Sequence, residues 1–117
     1  MPTPARQSTA YLLILCTCPD QATAQNIANQ LVDQALAACV NILPGLTSVY
    51  QWQGKREISQ EHLLLIKTTD AAYPALERAI TALHPYELPE VIAVPIAQGL
   101  TGYLQWIEQQ TVTRTNR

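Results

Sequence analysis

Residues 40–69 read VNILPGLTSVYQWQGKREISQEHLLLIKTT, and the fold turns on how this stretch divides. Side chains alternate along a strand, so Leu46, Ser48, Tyr50 and Trp52 share one face of it. Gly54 marks a turn. The chain then returns through Ile58 to HLLLIKT, which is apolar on both faces at residues 63–66. Pro44-Gly45 predicts a kink or bulge before the long ribbon begins.

Working outward, residues 9–17, TAYLLILCT, are continuously apolar in the middle and read as a strand buried on both faces. PDQATAQNIANQLVDQALAACV follows with helical spacing. Asp20 can cap its first turn. Ala24, Ile27, Ala28, Leu31, Val32 and Ala35 form one apolar stripe, and the helix is expected to end near Ala37 or Ala38. A second helix is predicted over 71–84, AAYPALERAITALH, capped by Asp70 or Thr69, with Pro74 in its first turn. Its stripe is Ala72, Leu76, Ala79, Ile80 and Leu83. Pro85 then forces His84 out of the helical region, because the proline ring clashes with the residue before it. VIAVPI, residues 91–96, is the fourth strand, and TGYLQWIEQQ from Thr101 is a short terminal helix.

The order β-α-β-β-α-β predicts an α+β fold, the ferredoxin-like split βαβ with two helices on one face of an antiparallel sheet. Residues 1–8 read as a flexible tail, 9–112 as one domain and 113–117 as a frayed end. Two features exceed what such a protomer can satisfy alone. Strands one and three are apolar on both faces, yet two helices cover only one. The return strand from Arg56 to Thr68 would also span roughly 40 Å, against about 27 Å for the first helix. Packing of the open face and the ribbon on other copies of the chain resolves both.

Composition agrees. Of 117 residues, 48% are apolar and only 14% charged, which leaves little polar cover for a small surface and points to burial in an oligomer. A net charge of −2 argues against a nucleic-acid partner. Three cysteines without regular spacing read as reduced thiols in the cytoplasm. Arg6 followed by YLLILC loosely imitates a secretory signal, but the run is short and no small-residue cleavage site follows. No stretch approaches the roughly 18 apolar residues of a membrane span, so the expectation is a soluble, cytoplasmic chain without a membrane partner.

The stretches CTCPDQATAQ, LAACVNILPGLTSVYQWQGK, LLLIKT, HPYELPEVIAVPI and YLQW occur in this order between about residues 10 and 108. In this the chain resembles the CutA divalent-cation tolerance family. The resemblance implies a ferredoxin-like protomer in a tight homotrimer similar to the nitrogen-regulatory PII proteins, with ribbons paired between subunits. It also implies divalent metal binding, copper first. The family's proposed copper ligands are a cysteine late in the first strand and histidines before a Pro-Tyr pair, which correspond to Cys16 and His84. One version of the pattern has two consecutive histidines there; this chain has Leu83-His84.

Copper needs thiolate, thioether or imidazole ligands, which suits both residues, although burial as a core thiol also accounts for Cys16. Cys18 can share a strand face with Cys16, but Pro19 predicts that the strand has already ended. Cys39 reads as helix-end packing, and His62 as solvated or at an interface. A second constellation is Tyr50, Trp52, Lys67, Tyr86, Glu90 and Trp106, which a neighbouring subunit could gather into one intersubunit cleft; the same aromatics also suit trimer packing. No nucleophile–base pair and no glycine-rich phosphate loop is legible. The expected role is therefore binding rather than catalysis. Alternatives are a PII-like sensor holding a small molecule in that cleft, a structural trimer with adventitious metal binding, and an enzyme using Lys67, Glu90 and the aromatics.

Overall fold

The computed structural model describes residues 10–112; the tail and frayed end read from the sequence lie outside them. Four strands, β1 (Tyr11–Cys18), β2 (Cys39–Trp52), β3 (Lys55–Thr69) and β4 (Ile92–Pro95), form one sheet in the order β2-β3-β1-β4. Every neighbouring pair is antiparallel. Helices α1 (Gln21–Asp33) and α2 (Tyr73–Leu83) connect β1 to β2 and β3 to β4, and α3 (Thr101–Gln110) follows. This is the strand order that the split βαβ pattern requires.

The register decides which side chains meet. Cys16 lies opposite Leu64, and Ile14 opposite Ile66, so these residues share a face. That face packs on Ile27 and Leu31 of α1 and on Leu76 and Ile80 of α2, all fully buried. Each such aliphatic side chain contributes about 1.5–3 kcal/mol relative to exposure. On the other face Leu13 lies opposite Val94, and Leu15 opposite Ile92. There Ile92 and Val94 remain exposed, as does Leu43. The third helix reaches the Tyr11 end of the sheet, where the Tyr11 hydroxyl donates to Glu108 Oε1 at 2.9 Å.

Asp20 caps α1 as its position predicts, its Oδ1 accepting from Thr23 N at 2.8 Å. The far end of α1 corrects the sequence reading, because the helix stops at Asp33 rather than near Ala37. Ala35 takes a left-handed conformation, φ 58°. Leu36 N then donates to Leu31 O and Ala35 N to Val32 O, the paired bonds of a Schellman cap. Leu36 and Leu31, both buried, supply its hydrophobic contact. Glycine usually marks this position; an alanine there hides it inside an apolar stripe. The second helix begins at Tyr73, and Thr69 Oγ1 accepts from Ala72 N just before it. At its other end His84 is extended, ψ 137°, as Pro85 demands.

The ribbon outgrows the sheet. The pairing of β1 with β3 stops at Cys18 opposite His62, while β3 pairs with β2 alone from Leu46↔Glu61 to Trp52↔Lys55. The result is a two-stranded arm roughly 20 Å long. A register shift between Leu43 and Leu46, with Gly45 at φ 83°, sits at its root, where Pro44-Gly45 predicts a bulge. Gln53 and Gly54, both at positive φ, make the tight two-residue turn at its tip. Val49 and Ile58 lie opposite each other on the arm, both 62% exposed. The arm helps stretch the molecule to 51 × 32 × 25 Å.

Ala35→Gly is expected to stabilise the fold by about 0.5–1 kcal/mol, because glycine enters the left-handed region without the penalty borne by alanine. Chemical denaturation of the two chains checks this; an unchanged or lower midpoint would remove the cap from the account.

Candidate metal centre and the adjoining cleft

Proline at position 19 has no N–H to give the ladder, but Cys18 still has its own. The strand therefore runs one residue further than the sequence reading allows, and Cys18 keeps its place in β1. Cys16 and Cys18, two apart on one strand, project from the same face and are both fully buried. His84 reaches them from the end of α2. The two sulfurs and a ring nitrogen of His84 all lie within 4.8 Å of one another. Cys18 thus joins the pair read from the sequence.

The imidazole of His84 is held on both sides. Its Nε2 is 2.8 Å from Thr17 O, and Tyr86 N donates to its Nδ1 at 3.2 Å. With Nδ1 accepting, the hydrogen sits on Nε2 and is donated to the Thr17 carbonyl. The neighbouring thiol of Cys18, followed by burial, pushes the Cys16 thiol well above its ordinary range. The same thiol–thiol interaction pulls Cys18 down, against the opposing effect of burial. Two sulfurs and an imidazole are a soft donor set, the kind that suits copper or zinc. Leu83, where one version of the family pattern has a second histidine, packs against the core.

Beyond Thr17 lies a cleft of about 730 Å³, lined by Tyr50 and Trp52 from the arm and by residues 85–88 and Glu90 from the segment after α2. Glu61 also lines it and is only 5% exposed. The Tyr86 hydroxyl donates to Glu61 Oε2 at 2.6 Å. Burial, then the hydrogen bond to this carboxylate, raises the Tyr86 phenol above its ordinary range. Partial desolvation and then the charge of Glu61 raise Glu90.

Of the six residues read as a cleft, one chain brings together Tyr50, Trp52, Tyr86 and Glu90. Lys67 instead donates to Asn41 Oδ1, on the sheet away from the arm. Trp106 stacks against Tyr103 within α3, ring centroids 5.6 Å apart. Sequence reasoning misses Glu61, which looks like any other charge on a ribbon until Tyr86 folds onto it. Cys39 opens β2 rather than closing α1. No helix among the described residues is long and apolar enough to cross a membrane.

A split βαβ sheet with an overlong arm and a buried thiol–imidazole group defines a recognisable class of small α+β protein. A model of the family described as CutA1 divalent ion tolerance protein matches residues 12–110. The chain is 52% identical over 99 residues to the divalent-cation tolerance protein CutA of Thermus thermophilus, covering 85% of this chain and 96% of that one. A solved structure of the divalent cation tolerance protein Cut A1 from Thermus thermophilus superposes with a TM-score of 0.86 at 50% identity, covering 87% of this chain and 99% of the other. The structure of the periplasmic divalent cation tolerance protein CutA from Archaeoglobus fulgidus gives 0.83 at 35% identity, covering 86% and 97%. The chain belongs to the CutA1 divalent ion tolerance family.

Tyr86→Phe is expected to cost about 1–3 kcal/mol, because it removes the donor to a buried carboxylate. A denaturation midpoint equal to that of the parent would contradict this. Glu90→Gln tests the carboxylate pair. A carboxyl whose folded pKa lies above its unfolded value contributes stability below the unfolded value, and that contribution is lost as pH rises through the folded one. Glu90→Gln should therefore stabilise the chain at neutral pH, and the gain should fade toward about pH 4. Denaturant midpoints at the two pH values read the difference.

Proposed function

We propose that this member of the family binds copper at Cys16, Cys18 and His84 and serves divalent-cation tolerance or the response to metal ions. The observation that carries this reading is the convergence of three soft donors within 4.8 Å in a buried pocket. A thiolate or imidazole ligand suits copper, and each thiol that ligates gives up its proton to solvent. His84 becomes a ligand when Tyr86 N leaves Nδ1, which exposes the lone pair. The names of the relatives, divalent-cation tolerance proteins, support a metal role without specifying the ion. Among the described residues all three cysteines are free, which supports a cytoplasmic, reducing location.

The working form in this proposal is a PII-like homotrimer. The exposed Ile92, Val94 and Leu43 on the open sheet face support it, as do Val49 and Ile58 on the arm. An isolated two-stranded hairpin is marginally stable in water, so the arm gains most from a neighbour. A second reading rests on the cleft: a trimeric sensor whose cleft takes a small molecule, with Lys67 and Trp106 contributed by an adjacent copy. Walls of Tyr50, Trp52 and Tyr86 around buried Glu61 favour it.

Calorimetric titration with Cu(II) should give saturable binding that Cys16→Ala and His84→Ala each weaken, and titration with Cu(I) under reducing conditions should give binding that Cys16→Ala weakens. Unchanged stoichiometry and affinity in both variants would overturn the metal assignment and leave the structural trimer with adventitious binding. Light scattering should return about three times the 12.9 kDa chain mass; a value near one chain would overturn the trimer.

A further inference from the structure

The proposed centre is short of a nitrogen. It holds a single imidazole, and the ring nitrogens of His84 are both engaged, one on Thr17 O and one by Tyr86 N. Across the ladder from Cys18, in the last rung that β1 shares with β3, is His62. Directly opposed residues in an antiparallel pair project from the same face, with Cβ atoms about 4.5–5.5 Å apart. His62 is therefore the cross-strand neighbour of a buried thiol. Its Nδ1 is buried and has no hydrogen-bond partner among the described residues.

A buried polar atom without a partner costs roughly 1–3 kcal/mol, and native structures hold few of them. Here the orphan is an imidazole nitrogen, an atom suited to ligation, one strand away from two thiols. Resting on the copper reading above, we infer that His62 is a ligand of this centre. It supplies a ring nitrogen without a hydrogen-bond partner among the described residues, and completes a set of Cys16, Cys18 and His62 for a thiophilic ion such as Cu(I). His62 stands outside the group of atoms already within 4.8 Å, so ligation requires its ring to rotate and bring Nδ1 toward the sulfurs. It breaks no hydrogen bond at Nδ1 in doing so, whereas His84 must first shed Tyr86 N. For three-coordinate Cu(I), His62 suffices. An ion that demands four ligands, such as Zn(II), must also recruit His84 to make a two-sulfur, two-nitrogen set.

The test uses the full chain under nitrogen, with Cu(I) competed against a chromophoric chelator. His62→Leu should weaken Cu(I) binding by about tenfold or more, which corresponds to ~1.4 kcal/mol. His62→Cys, which keeps a soft donor, should retain it. The metal-free His62→Leu chain should be as stable as the parent or more so, because it loses an unsatisfied polar atom. X-ray absorption of the parent loaded with Cu(I) should count two sulfurs and one nitrogen, and the nitrogen should disappear in His62→Leu. Binding by His62→Leu within about twofold of the parent would overturn the assignment, as would an absorption spectrum that keeps its nitrogen. Cys16→Ser separates the two levels. If it leaves uptake unchanged, the whole centre falls; if it abolishes uptake while His62→Leu does not, only the role of His62 falls.

Discussion

The antiparallel pairing of β1 with β3 is the contact on which the rest of the molecule depends. It runs eight residues, from Tyr11 opposite Thr69 to Cys18 opposite His62, and stops where Pro19 has no hydrogen to donate. Because β1 is flanked by β3 and β4, its side chains set the composition of both faces. One face carries Ile14, Cys16 and Cys18 into the helices; the other carries Leu13 and Leu15 toward Ile92 and Val94. The early stop of β1 leaves β3 to continue alone with β2. Cys16, Cys18 and His62 therefore lie at a boundary, where the full sheet gives way to a two-stranded arm.

That boundary also makes the cleft. The arm supplies Tyr50 and Trp52, and the segment released from α2 by Pro85 supplies Tyr86 and Glu90. Thr17 belongs to both places: it lines the cleft while its carbonyl accepts from His84. One strand residue thus stands between a buried thiol pocket and a cleft lined by carboxylates. The strand holds the sulfurs, whereas the nitrogens of His84 are held by bonds to Thr17 O and from Tyr86 N.

Much of the fold is legible because its punctuation is chemical and local. Pro85 sets the end of α2, Asp20 the start of α1, Pro44-Gly45 the bulge, and Gly54 the turn. The end of α1 is not legible, because Ala35 adopts a conformation that alanine rarely takes and that the Schellman bonds and the Leu31–Leu36 contact accompany. At the site, Cys16 and His84 come from a resemblance carried by short motifs. Cys18 is easily discounted, since Pro19 suggests a strand end one residue too soon. Glu61 and His62 are invisible for a different reason. Their roles come from long-range register, Glu61 meeting Tyr86 and His62 meeting Cys18, and no periodicity within β3 records it. Lys67 and Trp106 share a composition with the cleft but not a location in one chain.

Tyr86 holds two places at once. Its backbone N–H rests on His84 beside the thiols, and its hydroxyl rests on Glu61 in the cleft. A residue tethered at both ends ties the thiol pocket to the cleft. With a metal bound as proposed, freeing His84 for the ion would draw on the same segment that holds the phenol on Glu61. Any such coupling would be reciprocal, with the same free energy in either direction.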